Sequence, residues 1–257
     1  MSIKLANTTA SALYLGSQVV SKAYLGTDVV YSTGGGSGII TEGLLYNFDA
    51  EFGDVTGMTD TVNNVFATAN NQAYYSEFGG YYDNIGTSVQ LSNIVAQSTD
   101  VTLLNNVTAS TFDAWIRWTT LFPAALIYME RRTPTYGMVA FGFSTGIRIR
   151  VGEAGSGVGL TLPGAPVLDE WQHIVFTIAN DGTANIYKNG IQEVSTVYAV
   201  DWSRMPLASD INLYLNGEDT TANQTSGDMG VARFYGRALT GTEVLQNFEA
   251  QRARFGI

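Results

Sequence analysis

The sequence predicts an all-β sandwich closed by a single C-terminal helix and preceded by a small β-rich module. Three observations predict it. Charged residues make up only 14% of the 257-residue chain while Gly (28) and Tyr (14) are abundant, a composition that suits short strands and many turns. Residues 170–194, EWQHIVFTIANDGTANIYKNGIQEV, hold consecutive strand-and-turn signals. Near the C-terminus, Thr240 and Glu243 form a T-x-x-E capping box, the local mark of a helix start.

The central stretch is a β-meander. Trp171 to Ala179 is rich in β-branched and aromatic residues, with Ile174, Phe176 and Ile178 on one face and Val175 and Thr177 on the other. Asn180, Asp181 and Gly182 tolerate positive φ and predict a tight reversal. Thr183 to Lys188 is the next strand. Asn189-Gly190 is the strongest short hairpin signal, and a third strand begins at Ile191.

Taken from the N-terminus, residues 1–33 read as a repeat. SALYLGSQVV (residues 11–20) and SKAYLGTDVV (residues 21–30) match at a ten-residue period, and IKLANTTA fits as a worn first copy. Each unit predicts a strand, a glycine-containing turn and a second strand, too small to bury its own apolar face. Tyr14, Leu15, Tyr24, Leu25, Val29 and Val30 therefore need cover from outside the unit. Either residues 1–33 extend the main sheet, or they form an attachment and oligomerisation module. Residues 34–38, GGGSG, read as a flexible linker, which favours the module and sets the large domain at 39–257.

The large domain opens with a strand at Gly43 to Ala50. Residues 53–78 are polar and weakly patterned, predicting a long loop with one or two short strands. Residues 79–91 predict a strand pair around a turn. Val107 to Trp118 carries F-D-A-W-I-R-W, with Trp115 as its core anchor. Ala124 to Arg131, Gly137 to Phe143, Gly146 to Val151 and Val158 to Leu162 are further strands. In the third of these Ile147, Ile149 and Val151 alternate inward, with Arg148 and Arg150 outward. Ile211 to Asn216 and Met229 to Tyr235 follow. The helix should run from about Gly241 to Arg254, with Leu239 and Val244 as its hydrophobic staple and Val244, Leu245 and Phe248 on the sheet.

Two resemblances refine this reading. Trp171, His173, the hydrophobic run and I-Y-K-N-G are similar to the central signature of laminin-G-like domains, within the concanavalin A-like jelly-roll superfamily. GVARFYGRALTGTEVLQNFEAQRARFG resembles the closing segment of such domains in phage virion proteins. Lys188 stands where that family usually has an apolar residue, and Asp113 where it has a small or hydroxyl one. The Y-L-G-[ST] repeat is similar to N-terminal repeats of tailed-phage structural proteins. Together these imply a non-enzymatic virion protein, a fibre, capsid decoration or tail accessory, made in the host cytoplasm and displayed on the virion surface. They also imply capsid or tail proteins as partners through residues 1–33, and a homo-oligomer, with a trimer the commonest stoichiometry.

A host-glycan-binding adhesin is the alternative, and a glycoside-cleaving enzyme the second alternative. A net charge of −10 argues against nucleic acid as a partner. No window approaches 18 apolar residues, so no membrane insertion is expected, and the N-terminus lacks a secretory signal pattern. Without cysteine there is no thiolate nucleophile or metal site. His173 is the single histidine and reads as structural. Glycosidases of this superfamily pair carboxylates on one strand, and Glu130 is alone in its strand. Asp49, Glu51 and Asp54, then Glu218 and Asp219, lack EF-hand spacing and read as solubilising loop charge. Laminin-G-like domains sometimes hold a rim calcium; none is expected here, and no other cofactor. For a glycan, Tyr136, Tyr198, Trp202, Asn216 and Asp219 are the candidates, being aromatic or polar and near loops.

Overall fold

A computed structural model describes residues 14–15, 18–19, 22–25, 28–32, 38–69, 73–83, 94–96, 107–119, 124–132, 135–143, 146–153, 158–199, 211–215 and 227–257. In the N-terminal segment, β1 (Tyr14–Leu15) pairs with β2 (Gln18–Val19) and β3 (Lys22–Leu25) with β4 (Asp28–Ser32), one antiparallel hairpin per complete repeat unit. The worn first copy and residues 33–37 of the linker lie outside the described residues.

The large domain begins with β5 (Leu44–Asp49). Short strands follow: β6 (Gly53–Asp54), β7 (Gly57–Thr59), β8 (Phe66–Ala69), β9 (Ala73–Tyr75), β10 (Tyr81–Asp83) and β11 (Ile94–Ala96). Single 3₁₀ turns stand at Ala50–Phe52 and Glu77–Gly79. Next come β12 (Ser110–Trp118), β13 (Ala124–Arg132), β14 (Thr135–Phe143), β15 (Gly146–Glu153) and β16 (Val158–Pro163). The chain closes with β17 (Trp171–Ile178), β18 (Thr183–Lys188), β19 (Ile191–Val197), β20 (Ile211–Leu215), β21 (Gly227–Tyr235) and α1 (Gly241–Gln251).

The large domain's strands form two antiparallel sheets. The first has the order β19-β18-β17-β12-β21-β10-β9, with β5 also paired to β21. The second has the order β16-β15-β14-β13-β20-β11-β8-β7-β6. Their facing sides bury one apolar cluster: Phe112, Ile116, Ile174, Phe176, Ile186 and Phe234 from the first sheet meet Met58, Ala67, Ile147, Leu160 and Leu162 from the second. Each contributing strand alternates, as two-residue periodicity requires.

The outer side of the first sheet is also covered, by α1 and the turns after it, so the domain has three layers. That is why β17 is buried along its whole length. Ile174, Phe176 and Ile178 face the second sheet, as the periodicity predicts, while Val175 packs with Tyr187, Tyr235, Leu239 and Val244 beneath the helix. Trp115 is fully buried, but on this helix side rather than between the sheets. It stacks on Phe255 and Phe248 with centroids 4.3 and 5.8 Å away.

The meander turns are built as their residues dictate. Asn189 and Gly190 both take positive φ, 50° and 79°, between Lys188 and Ile191, which are paired: a two-residue turn of the type whose twist suits a hairpin. In the preceding turn only Gly182 takes positive φ, and a Cβ there would meet the Tyr198 carbonyl oxygen at 1.8 Å. That position admits glycine alone.

Three expectations are corrected. Residues 53–78 hold four short strands, not one or two, because hydrogen bonds to the Asp60 carboxylate from the backbone of Asn47, Val62 and Asn63 pin the segment to the sandwich. Tyr81–Asp83 finds both its partners outside residues 79–91, in the preceding Ala73–Tyr75 and in β21, while residues 84–91 lie outside the described residues. Finally, α1 ends at Gln251 rather than Arg254, and turns carry the chain onward. Those turns place Phe255 against Trp115, Trp171 and Gly230, where a Cβ would stand 2.7 Å from the Phe255 ring.

Candidate functional site

Beneath α1 lies a buried polar constellation on adjacent strands. Asp113 of β12 stands opposite Val175 of β17 and Arg233 of β21. Asp113, His173, Arg233 and Asn247 are each 0% exposed. Arg233 Nη1 lies 3.2 Å from Asp113 Oδ1, and its Nε and Nη2 donate to Asn47 Oδ1 (2.9 Å) and Gln251 Oε1 (2.8 Å). His173 Nε2 lies 3.2 Å from Asp113 Oδ1. Asn247 Nδ2 donates to Asp113 Oδ2 (2.8 Å) and to the Tyr235 hydroxyl (2.9 Å).

Burial alone would raise the Asp113 carboxyl. The neighbouring His173 and Arg233 act against it, with the hydrogen bond from Asn247, and the balance holds the group at about 2. Burial pushes the Tyr235 phenol up. Asp49 extends the constellation: Arg254 Nη1 donates to its Oδ1 at 2.7 Å, and Arg233 Nη2 lies 3.8 Å from its Oδ2.

With Asp113, His173, Arg233 and Asn247 covered, these four groups can hold the helix but cannot touch a dissolved substrate. His173 is thus a packed residue, beside Trp115 and Phe248, with its backbone N–H donating to Asn189 Oδ1. Asp49 is not the solubilising charge predicted from its place at a strand end, since it is 4% exposed and ion-paired. Glu51 and Asp54 do lie at the surface, Asp54 accepting from the Thr56 N–H and hydroxyl. Among the described residues no group of three or more His, Asp or Glu could hold a metal ion. Glu218 and Asp219 lie outside the described residues.

The same constellation anchors the chain where it enters the domain. Asn247 Oδ1 accepts from the Ile40 N–H (2.8 Å), Tyr235 Oη donates to the Ile40 carbonyl (3.1 Å), and Gln246 Nε2 donates to the Gly38 carbonyl (3.1 Å). Residues 38–40 are thereby fixed on the helix side of the sandwich.

On the second sheet the described side chains set the direction of the strands. Ile147, Leu160, Leu162 and Ala67 lie in the core, and Thr161, Phe66 and Thr68 are exposed, which sets the inward and outward parity of its strands. On that parity Glu130, opposite Gly137 and Asn212, is the single carboxylate at an outward position on β13, β14, β15, β16 and β20.

Of the predicted glycan residues, Tyr136 and Tyr198 lie among the described residues. Tyr136 stands opposite Arg131 and Glu153, on the inward parity shared with Ile147. Tyr198 is half-buried against the core, and its hydroxyl donates to the Gly159 carbonyl (3.0 Å), joining the edges of the two sheets. Trp202, Asn216 and Asp219 lie outside the described residues. Of the proposed attachment residues, Tyr14 and Leu15 stand in β1, Tyr24 and Leu25 in β3, and Val29 and Val30 in β4. The sequence reading missed Arg233 and Asn247. The available signal was a lone arginine inside the apolar strand VARFY, facing an aspartate inside FDAW.

Two sheets in this order, one C-terminal helix and the central meander coincide with a family model. The concanavalin A-like lectin/glucanases superfamily model matches residues 83–245. The chain belongs to this superfamily. No curated protein matches the sequence significantly. Among solved structures, botulinum neurotoxin type C, whose cell entry depends on interaction with two ganglioside molecules, superimposes with a TM-score of 0.65 at 12% identity, covering 82% of this chain and 51% of that one. The binding domain of Paraclostridial Mosquitocidal Protein 1 gives 0.61 at 14% identity, covering 80% and 52%. Trypanosoma rangeli sialidase with the inhibitor DANA gives 0.66 at 15% identity, covering 91% and 36%. The chain thus spans about half the length of the toxin chains and about a third of the sialidase. At these identities the likeness to the toxins and the sialidase is one of fold.

Proposed function

We propose that this chain is a non-enzymatic display protein of a tailed-phage virion: residues 1–33 attach it to the particle, and the superfamily sandwich is presented outward. The observation that carries the reading is the anchorage of Gly38 and Ile40 on α1. A chain held to a particle through its N-terminal segment leaves the sandwich from the helix side, so the outer face of the second sheet points away. The Y-L-G repeat and its resemblance to phage N-terminal repeats support the attachment role. The burial of Asp113 and His173 beneath α1 supports a role without catalysis, as does the presence of one carboxylate, Glu130, at the outward positions of β13, β14, β15, β16 and β20, since glycoside cleavage in most families works through two carboxylates.

Host-glycan binding is compatible with display and is the second reading. It is favoured by the superfamily, and by the ganglioside dependence of the botulinum neurotoxin that shares the fold. Reconstitution onto particles lacking the protein tests the first reading. The intact chain should restore occupancy and a chain lacking residues 1–33 should not; equal occupancy by both would move attachment to the sandwich.

A further inference from the structure

At the end of the sandwich where β12 stops and β17 starts, a short segment is held from both strands. Trp118, the last residue of β12, forms a parallel bridge with Leu168, and its carbonyl accepts from the Asp169 N–H at 2.8 Å. Gln172, near the start of β17, donates through Nε2 to the Val167 carbonyl at 2.8 Å and lies 3.5 Å from the Glu170 carbonyl. Asp169 takes a φ of 61° in this bend, a conformation its short polar side chain tolerates, and Leu168 packs on the core.

The two side chains share the core face. Gln172 stands opposite Ile116, in the row that continues through Ile174, Phe176 and Ile178. Trp118 is two residues beyond Ile116 on that face, so it is the diagonal neighbour of Gln172, within reach for side chains of this length. Trp118 is 1% and Gln172 2% exposed, and neither Trp118 Nε1 nor Gln172 Oε1 has a hydrogen-bond partner in the protein. The first can only donate and the second only accept. Turning the amide over would set its oxygen against the carbonyl oxygens of Val167 and Glu170, so its orientation is fixed. Trp115 and His173 also carry unpartnered nitrogens, but there the rings pack on each other and on Phe248, with centroids 5.0–5.9 Å apart.

We propose that Trp118 and Gln172 form an interior binding site for a single water molecule, which accepts from the Trp118 indole N–H and donates to Gln172 Oε1 beneath residues 167–169. A buried donor and a buried acceptor left unmade are each costly, and one water satisfies both because it donates and accepts at once. Its second hydrogen can go to the remaining lone pair of the Val167 carbonyl, which gives the about three bonds usual for a buried water. An ion is disfavoured at the edge of an apolar core. The water then ties β12, β17 and the segment that closes this end of the sandwich into one joint, which explains a glutamine in an otherwise apolar row.

The test has two readings on the intact chain. A crystal structure at a resolution that shows ordered waters should hold a water peak within hydrogen-bond distance of both Trp118 Nε1 and Gln172 Oε1. Urea titrations of Trp118→Phe, Gln172→Met and the double variant then measure the joint. Each single variant should lower the folding equilibrium constant roughly tenfold, and the double variant should fall short of the product of the two by at least about threefold. The volume lost at Trp118 and the bond lost between Gln172 and Val167 enter both legs of this cycle and cancel. A water peak missing from that place, Trp118 Nε1 donating directly to Gln172 Oε1, another protein group filling either bond, or costs that simply multiply would each overturn the proposal. Should a single variant fail to fold, the wild-type density decides alone.

Discussion

Asp113 is the residue on which the helix side depends. Its carboxylate meets Arg233 and His173 at 3.2 Å and Asn247 at 2.8 Å, in a space closed to water. Replacing the pair with apolar residues need not weaken a protein, but removing one partner strands the other charge, at a cost of about 3–5 kcal/mol. Asp113→Ala should therefore lower stability by that amount, read as a shift of the urea midpoint at unchanged slope. An unmoved midpoint would show that Arg233 finds another counter-charge. The pH dependence has a definite sign. Asp113 sits at about 2 against an ordinary 3.8, and Glu243, held down mainly by its hydrogen bond from Arg237, sits at about 2 against 4.5. Folded values below the unfolded ones mean stability that is complete above about pH 4.5 and lost as pH falls toward 2. Asp113 accounts for roughly 2–3 kcal/mol of this, and the partly exposed Glu243 for under about 1 kcal/mol after solvent screening. Denaturant midpoints at pH 5, 4, 3 and 2 should fall steeply in wild type and less steeply in Asp113→Ala.

Among elements, α1 does the most for its length. Thr240 caps it: its hydroxyl accepts from the Glu243 N–H, and the Glu243 carboxylate accepts from the Thr240 N–H. Leu239 and Val244 close the staple, both buried against Tyr235 and Tyr187. Thr240→Ala should cost about 0.5–2 kcal/mol by denaturant titration. Since α1 also fixes Gly38 and Ile40, the backbone amides of residues 38–40 should exchange hydrogen faster in this variant, while those of β13 and β14 should not change. The meander offers a sharper contrast. Gly182→Ala combines positive φ with a Cβ 1.8 Å from a backbone oxygen, so it should destabilise by more than about 1 kcal/mol, whereas the same change at Gly164, which has open space around it, should cost only its backbone strain.

At the scale of the whole molecule, the sandwich has its own closed core, and its first described residue, Gly38, is held by α1. Residues 38–257 should express alone as a cooperatively melting monomer. A broad, non-cooperative melt would show that residues 1–33 complete the core. The apolar positions of the repeat should make the intact chain oligomeric or particle-bound, and light scattering on both chains reads the difference.

Much of this architecture was legible in the chain itself, for a local reason. Two-residue alternation, the Asn189-Gly190 turn, the T-x-x-E box and the staple act within a few residues, so they marked the strands of the meander, the helix start and the superfamily. What they could not carry is pairing between distant segments. Nothing local says that Tyr81–Asp83 joins β9 and β21, or that Asp60 pins residues 47–63. The charges show it most clearly. Asp49 and Asp113 look alike in sequence to surface acids, and Arg233 to a surface base. Only the meeting of β12, β21 and α1, brought together from residues more than a hundred positions apart, desolvates and pairs them. The reverse holds on the second sheet. The alternation of Arg148 and Arg150 was visible, but their cross-strand neighbours, Phe141 and Val139 on β14 and Thr161 and Gly159 on β16, are neighbours only through strand register, which is set by long-range hydrogen bonding and not by any segment alone.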